Sequence, residues 1–299
     1  MRSEAGLRLP HFIAVGPPRT ATTWLHEVLT GYVALPAGTK ETQFFVWNYD
    51  LGIRWYAAHF RNCPPHLPAG EIAPTYFNSA EARARIARHI PQCRIVCTLR
   101  DPVERIYSHY KVWRKIGRIK APFEQAAFNH RQLADYNRYA FHLRQWRDAL
   151  GPENVLVLIY DDLEADPQRY VESLCSFVGI APPDLRNSPL ARQRVYAVND
   201  APKSQRLARR GRQVRDRLIR LRLYRLVDAL EPLWDYCSGR GEKFPPLDPD
   251  LESRLRERFR SEVTELEQLL QRNLSSWKGA AERSGEIPPD AAIKAVRRN

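Results

Sequence analysis

The sequence predicts an α/β protein with a P-loop-like three-layer fold, in which a central parallel sheet of about five strands is flanked by helices. Three short apolar, β-branched runs, Phe12–Val15, Arg94–Leu99 and Val155–Tyr160, are each followed by a helical pattern. That alternation is what the βα units of a parallel sheet require. The 299 residues are 43% hydrophobic and 10% aromatic, enough to bury a sizeable core and too apolar for wholesale disorder. Between the first run and the first helix lies Gly16–Leu25, a loop leading into a helix start.

Two weaker runs, Val33–Leu35 and Glu71–Ala73, bring the strands to five. Apolar spacing predicts helices at Thr22–Thr30, Gly52–Phe60, Ser79–His89, Pro102–Ile116, Tyr136–Leu150 and Pro167–Val178. Asn154–Tyr160 reads as a buried strand ending in a turn at Asp161–Leu163. Past Pro182-Pro183 the character changes. Residues 204–231 read as a long basic helix with apolar Leu207, Val214, Leu218, Leu221 and Leu230, and 248–271 as another amphipathic helix. A single domain over 1–275 follows, with an α/β core at about 11–180 and a helical part at about 200–275. Small, polar, Pro-containing residues make 276–299 a disordered tail.

No apolar run approaches the roughly 20 residues that span a bilayer, so no integral membrane segment is expected. Met1–Pro10 carries charges where a signal peptide has its apolar stretch, and a cytoplasmic protein is the expectation. Five cysteines (Cys63, Cys93, Cys97, Cys175, Cys237) are scattered, with no CxxC pair and no zinc pattern. They read as reduced structural thiols. The formal net charge of +13 attracts polyanions: nucleic acid, acidic membrane, an anionic cofactor or an acidic substrate. Its densest part is Lys203–Arg225, with Lys203, Arg206, Arg209, Arg210, Arg212, Arg215, Arg217, Arg220, Arg222 and Arg225 against Asp216 alone.

Gly16-Pro-Pro-Arg-Thr-Ala-Thr-Thr-Trp-Leu25 stands where a helix N-terminus offers unpaired N–H groups and the positive end of its dipole to an anion. Thr20, Thr22 and Thr23 add hydroxyls and Arg19 a fork of charged donors. The bland alternative is a strand–loop–helix junction whose threonines cap the helix. An ATP-binding G-x-x-x-x-G-K-[ST] loop laid on Gly16 would place Ala21 at the second glycine and Thr22 at the lysine, and both fail. In Arg94–Tyr110 a buried strand ends in Arg100 and a helix starts at Asp101-Pro102, so Arg100 stands at the carboxyl end of a strand, where open α/β sheets bind ligands. Ser108 lies about two turns along that helix.

Together, Gly16–Leu25 and Leu99–Tyr110 resemble the two donor-binding motifs of sulfotransferases that use 3′-phosphoadenosine 5′-phosphosulfate (PAPS). The similarity is greatest to the bacterial members and to the domains that modify heparan sulfate. It extends through Lys40–Phe45, Gly70–Phe77 and Asn137–Trp146. The resemblance implies that Pro18, Arg19, Thr20, Ala21, Thr22, Thr23 and Trp24 form the 5′-phosphosulfate loop, and that Arg100 and Ser108 bind the 3′-phosphate. It makes Arg19 the cation that bridges the 5′-phosphate and the transferring group, where the family usually has Lys, and Glu41 the general base. Ala21 replaces the usual Gly, which is awkward if the position needs φ > 0. Lys203, Ser204 and Arg206 fall where the family has a late basic loop over the 3′-phosphate; the alternative is the start of a solvated basic helix. Glu71 and Tyr76 lie in a stretch that commonly faces the acceptor, and Ile72 stands where glycan-modifying members usually have Lys. His26 and His109 are the rival bases, Glu104 and Arg105 read as helix-surface charges, and Tyr139 and Trp146 as core aromatics.

The resemblance implies transfer of SO₃ from PAPS to a hydroxyl, or an amine, of a glycan or small metabolite, releasing 3′,5′-ADP (PAP), with no metal. The partners expected are the anionic nucleotide donor and this acceptor, without nucleic acid; the oligomeric state is open. The competing readings are a P-loop small-molecule kinase, a nucleic-acid-binding protein using the basic 203–225 helix, and a family member that keeps the fold without activity.

Overall fold

The computed structural model describes residues 6–191, 198–221, 223, 226–227, 229–230, 232–233 and 241–279. In chain order the elements are β1 (Phe12–Gly16), α1 (Thr22–Leu29), α2 (Ile53–Ala58), β2 (Gly70–Ile72), α3 (Ala80–His89) and β3 (Arg94–Leu99). There follow α4 (Pro102–Lys115), α5 (Phe123–Asn129), α6 (Arg131–Asp135), α7 (Tyr139–Leu150), β4 (Val155–Ile159), α8 (Tyr160–Ala165) and α9 (Pro167–Val178). Then come α10 (Gln205–Arg220) and α11 (Pro249–Leu270). The chain divides into two compact units: Met1–Asp101 with Arg138–Tyr196, and Pro102–Asn137 with Ala197–Asn299. The second unit thus takes in α4 to α6, which the sequence reading left inside the α/β core.

The first unit is built on a parallel sheet in the order β2-β1-β3-β4. Its strands are buried on both faces, which is why they read as nearly unbroken apolar runs. Successive side chains alternate between the faces. Phe12, Ala14, Ile72, Val96 and Leu158 pack with α1 (Trp24, Leu25, Val28), α8 (Leu163) and α9 (Tyr170, Val171, Leu174). On β3 and β4 the sheet also meets α7, which packs against α3; there Trp146 is fully buried and its indole N–H donates to Phe77 O at 2.9 Å. Tyr139 is buried too, so both aromatics are core residues.

The sheet has four strands among the described residues, against the five expected. Val33–Leu35 makes only isolated bridges, Thr30 with Val33 and Ala34 with Ala69. Pro36 follows directly and has no N–H to extend a ladder. The turn expected at Asp161–Leu163 is the short helix α8, with Asp161 and Asp162 in its first turn, where the helix dipole favours negative charge. Helices α5, α6 and α8 span seven, five and six residues, short enough that the sequence reading did not pick them out.

In the second unit Val103, Ile106, Tyr110 and Trp113 of α4 form a core with Ala126, Ala127, Leu133, Leu255 and Phe259. Arg105 is fully buried rather than a surface charge: it donates to Asn137 Oδ1 and to Leu133 O, and its Nη1 lies 3.0 Å from His109 Nδ1. Helix α10 ends at Arg220, where the N–H of Leu223 turns back to Leu218 O, and the described residues 226–227, 229–230 and 232–233 are helical again, so the helix expected over 204–231 is interrupted rather than continuous. The expected tail began at 276, yet Trp277 is buried and Lys278 Nζ lies 2.5 Å from Glu267 Oε2. Residues 280–299 lie outside the described residues, as does Cys237. Among the described residues no helix is long and apolar enough to cross a membrane.

Candidate functional site

In the strand order β2-β1-β3-β4 the chain leaves β1 toward β2 on one side and returns to β3 on the other. The carboxyl ends of β1 and β3 therefore flank a topological switch point, where a crevice opens and open α/β sheets bind ligands. The first candidate loop continues β1 and Arg100 follows β3, so chain topology alone brings these two motifs side by side.

The loop is shaped by its backbone. Gly16 has φ of 82°, and a Cβ there would meet Pro74 Cβ at 2.7 Å, so glycine is required on both conformational and steric grounds. Arg19 (φ 77°) and Ala21 (φ 68°) also occupy the left-handed region, which is unfavourable for side-chain-bearing residues. These are the two positions of the loop at which the resemblance leads one to expect other residues. Ala21→Gly removes its left-handed penalty at a position already shaped for glycine. A gain of about 0.5–1 kcal/mol is expected, read as a higher thermal midpoint; an unchanged or lower midpoint would mean that Ala21 bears no strain.

Ala21 starts α1 without any side-chain hydrogen bond closing the helix N-terminus. The expected alternative, threonines capping the helix, is thus not realised. Thr20 is fully buried: its hydroxyl donates to Pro17 O at 2.6 Å and lies 2.6 Å from Thr98 Oγ1 of β3. This bond crosses the switch point and staples the loop to the neighbouring strand. With its single proton committed to Pro17, Thr20 offers an anion its backbone N–H rather than its hydroxyl. Thr22 is buried, Pro18 and Thr23 are half-buried, and Trp24 is buried with its indole N–H on Leu190 O at 2.8 Å. Lys40 Nζ lies 3.2 Å from Thr23 Oγ1, placing beside the N-terminus of α1 a second cation that the sequence reading quoted but did not select. Arg100 is half-buried, its guanidinium 4.4 Å from the Tyr160 ring centroid and its carbonyl held by Tyr139 Oη at 2.9 Å.

Glu41 is half-buried and oriented by two neighbours. Gln43 Nε2 donates to Glu41 Oε2 at 2.5 Å, and Thr75 Oγ1 holds Gln43 Oε1 at 2.6 Å. Gln43 has φ of 52°, and its carbonyl takes N–H bonds from Val46, Trp47 and Asn48. Sequence reasoning passed over Gln43; its only signal was its place within Lys40–Phe45.

Glu71 does not face an acceptor. It is fully buried, with Oε1 accepting from Thr42 N at 3.0 Å and Thr42 Oγ1 at 2.6 Å, and Oε2 from Tyr56 Oη at 2.7 Å. Tyr76, also buried, reaches both oxygens at 3.4 Å. Glu71 is a pillar beneath the segment that carries Glu41, and Ile72 points into the core. Burial pushes the Glu71 carboxyl above its ordinary value of 4.5, partly offset by the bonds from Thr42, Tyr56 and Tyr76. The folded state therefore binds this proton more tightly than the unfolded chain. The corresponding stability is complete below the ordinary value and is lost as pH rises through the raised one. Glu71→Gln removes the titration. Wild-type stability is expected to decline relative to Glu71→Gln as pH rises above 4.5, read as the difference between their thermal midpoints up to pH ~8. A difference independent of pH would exclude a titrating Glu71.

The rival histidines differ: His26 Nδ1 is buried and makes no hydrogen bond, whereas His109 is held in the second unit. Burial and Lys40 lower the His26 pKa, and His26 Nδ1 lies 3.9 Å from Glu27. His109 is buried in the second unit beside Arg105 and Trp113. Also in that unit, Ser108 lies half-buried on α4, Lys203 and Arg206 are exposed, and the Ser204 hydroxyl caps α10 by accepting from Leu207 N at 3.4 Å. Residues 199–201 run against 241–244, with Ala201 N on Glu242 O at 2.9 Å and Phe244 N on Asn199 O at 2.9 Å. Asp200 and Lys243 thereby form an isolated antiparallel backbone bridge. Among the described residues no group of three or more His, Cys, Asp or Glu could hold a metal ion.

The sulfotransferase domain family matches residues 9–212. Human bifunctional heparan sulfate N-deacetylase/N-sulfotransferase 3 is 27% identical over 300 residues, covering 90% of this chain and 31% of the relative. Human bifunctional heparan sulfate N-deacetylase/N-sulfotransferase 2 is 30% identical over 200 residues, covering 58% of this chain and 22% of the relative. The chain thus spans less than a third of the length of these curated relatives. The solved sulfotransferase from Alicyclobacillus acidocaldarius shares the fold, with a TM-score of 0.63 and 20% identity over 91% of this chain and 99% of that one. With more than half of its length matched by the family, this chain belongs to the sulfotransferase domain family.

Proposed function

We propose that the chain transfers a sulfuryl group from PAPS to a hydroxyl or amine of a glycan or small metabolite and releases PAP. The observation that carries this reading is the meeting, at the switch point, of the uncapped N-terminus of α1 with the strand that ends in Arg100. The left-handed loop and its free helix end suit a phosphosulfate, which accepts hydrogen bonds and donates none. The donor brings a sulfuryl group already activated by its bond to phosphate.

The protein's part is to position and to stabilise charge. Backbone N–H groups from Arg19 to Trp24 hold the 5′ end of the donor and Arg100 holds the 3′-phosphate, the group to which the resemblance also assigns Ser108, Lys203, Ser204 and Arg206. Glu41 takes the acceptor proton as the acceptor atom bonds to sulfur. The bond from sulfur to the phosphate oxygen breaks, and Arg19 meets the charge that develops on that oxygen. The relatives are named as N-sulfotransferases of heparan sulfate, which puts an amine on an equal footing with a hydroxyl. The reading extends to a reducing compartment, the cytoplasm, because Cys63, Cys93, Cys97 and Cys175 are all free thiols.

Thermal-shift titration tests the proposal. PAP is expected to stabilise the protein by about 2–3 kcal/mol at a hundredfold excess over its Kd, and Arg100→Ala is expected to lose most of that shift. Stabilisation by ATP–Mg²⁺ without PAP would favour a kinase instead, and stabilisation by duplex DNA alone would favour a nucleic-acid-binding protein.

A further inference from the structure

Helix α10 carries seven arginines (206, 209, 210, 212, 215, 217 and 220) and one acidic residue, Asp216. Its inner face is settled within the second unit. Ala208 is buried, Gln205 Nε2 donates to Arg114 O at 3.2 Å, and the backbone at Ala208–Arg209 closes on Gly117, where a Cβ would meet Arg209 N at 2.5 Å. Arg212 and Asp216 continue that face at three- and four-residue steps and are paired with each other at 2.6 Å. The only acid of the helix is thereby neutralised on the inner side.

At about 100° per residue, Leu207, Val214 and Leu221 fall on the opposite side of the helix. They are 51%, 50% and 61% exposed, spaced seven residues apart, with half-buried Leu218 beside them. Exposed Arg206, Arg210 and Arg217 line one edge of this stripe and exposed Arg215 the other. Exposed Leu223 and Leu226 carry the apolar surface further along the chain.

We propose that this face of α10 docks the protein on an anionic lipid surface. The stripe enters the boundary between headgroups and acyl chains, while the arginines run their apolar stems along it and keep their guanidinium groups at the phosphates. Charge and apolar surface each exclude another occupant. A second copy would bring two arginine-lined faces together. A nucleic acid bound to an arginine-lined helix without sequence preference engages it through phosphates and leaves an exposed leucine row without a role. An anionic bilayer uses both features. Such docking would carry the enzyme to a surface and is independent of the proposed chemistry.

Co-sedimentation of the full chain with vesicles tests this, comparing phosphatidylcholine alone with equal parts of phosphatidylcholine and phosphatidylglycerol. Binding is expected only to the mixed vesicles, and to weaken with salt. The L207Q/V214Q/L221Q variant is expected to lose about tenfold or more in vesicle affinity, and R210Q/R217Q a similar amount. Because these side chains are exposed, both variants are expected to keep the wild-type thermal midpoint and PAP-induced shift. Equal vesicle binding by wild type and the glutamine triple variant would overturn the proposal. So would absence of vesicle binding, whether alone, with duplex DNA binding that the triple variant retains, or with a self-association in sedimentation velocity that it abolishes.

Discussion

Replacing Glu41 by Gln is expected to lower kcat by about 10²–10⁴-fold, the usual worth of a positioned general base, while leaving PAP affinity within about twofold of wild type. The substitution keeps size and shape. A glutamine at 41 still presents a carbonyl oxygen to Gln43 Nε2, so the clamp through Gln43 to Thr75 survives and only the ability to take a proton is lost. The measurement is single-turnover sulfuryl transfer to a competent acceptor beside a PAP titration of the same preparation. Unchanged turnover would remove Glu41 as the base. A parallel loss of PAP affinity would mean that the residue shapes the donor site instead. Because Glu71 holds the adjacent Thr42 through both its N–H and its hydroxyl, the segment bearing Glu41 has an independent anchor. A collapse of the loop on this mild change is therefore not expected.

Arg19→Ala is expected to lower kcat by about 10²–10³-fold, the scale for removing one preorganised charge partner of a transition state, with a smaller loss of donor affinity. Arg19→Lys is expected to retain most of the turnover, since a compact ammonium delivers charge to the same oxygen. The backbone makes this comparison clean. At φ of 77° arginine, alanine and lysine all bear the same left-handed penalty, so the series reads the side chain alone. Arg19→Gly is the complementary variant, relieving the backbone while removing the cation, and should match Arg19→Ala in turnover. If Arg19→Ala keeps wild-type kcat, the charge on the leaving phosphate is met by another group, and Lys40 beside Thr23 is the first to test.

The strands were legible because a sheet covered on both faces demands continuous apolar runs, and β1, β3 and β4 carry them. Val33–Leu35 misled because three apolar residues satisfy that pattern whether or not a neighbour completes the ladder, and Pro36 ends it. Arg105 misled for the opposite reason. An arginine at a helix position reads as solvated, and the contacts from Asn137 and Leu133, about thirty residues away, that help offset the penalty of burying it leave no local trace. Glu71 was read as facing an acceptor, but its partners Thr42 and Tyr56 come from earlier segments, and no local pattern announces that convergence.

At Gly16–Leu25 the order of strand, loop and helix, and the residue types that suit an anion rather than an ATP-binding lysine loop, were fixed by local sequence, because they depend on propensity and on neighbouring residues only. Tertiary structure decided the rest. It put Arg19 and Ala21 into left-handed backbone, turned the Thr20 hydroxyl inward to Thr98, and left the end of α1 without a side-chain cap. It also turned Glu71 from an acceptor contact into a support and set the exposed leucines of α10 opposite its packed face. Each of these depends on which distant groups share a buried space, and hydrogen bonds and packing in that space are paid for jointly by the whole unit rather than by any one segment.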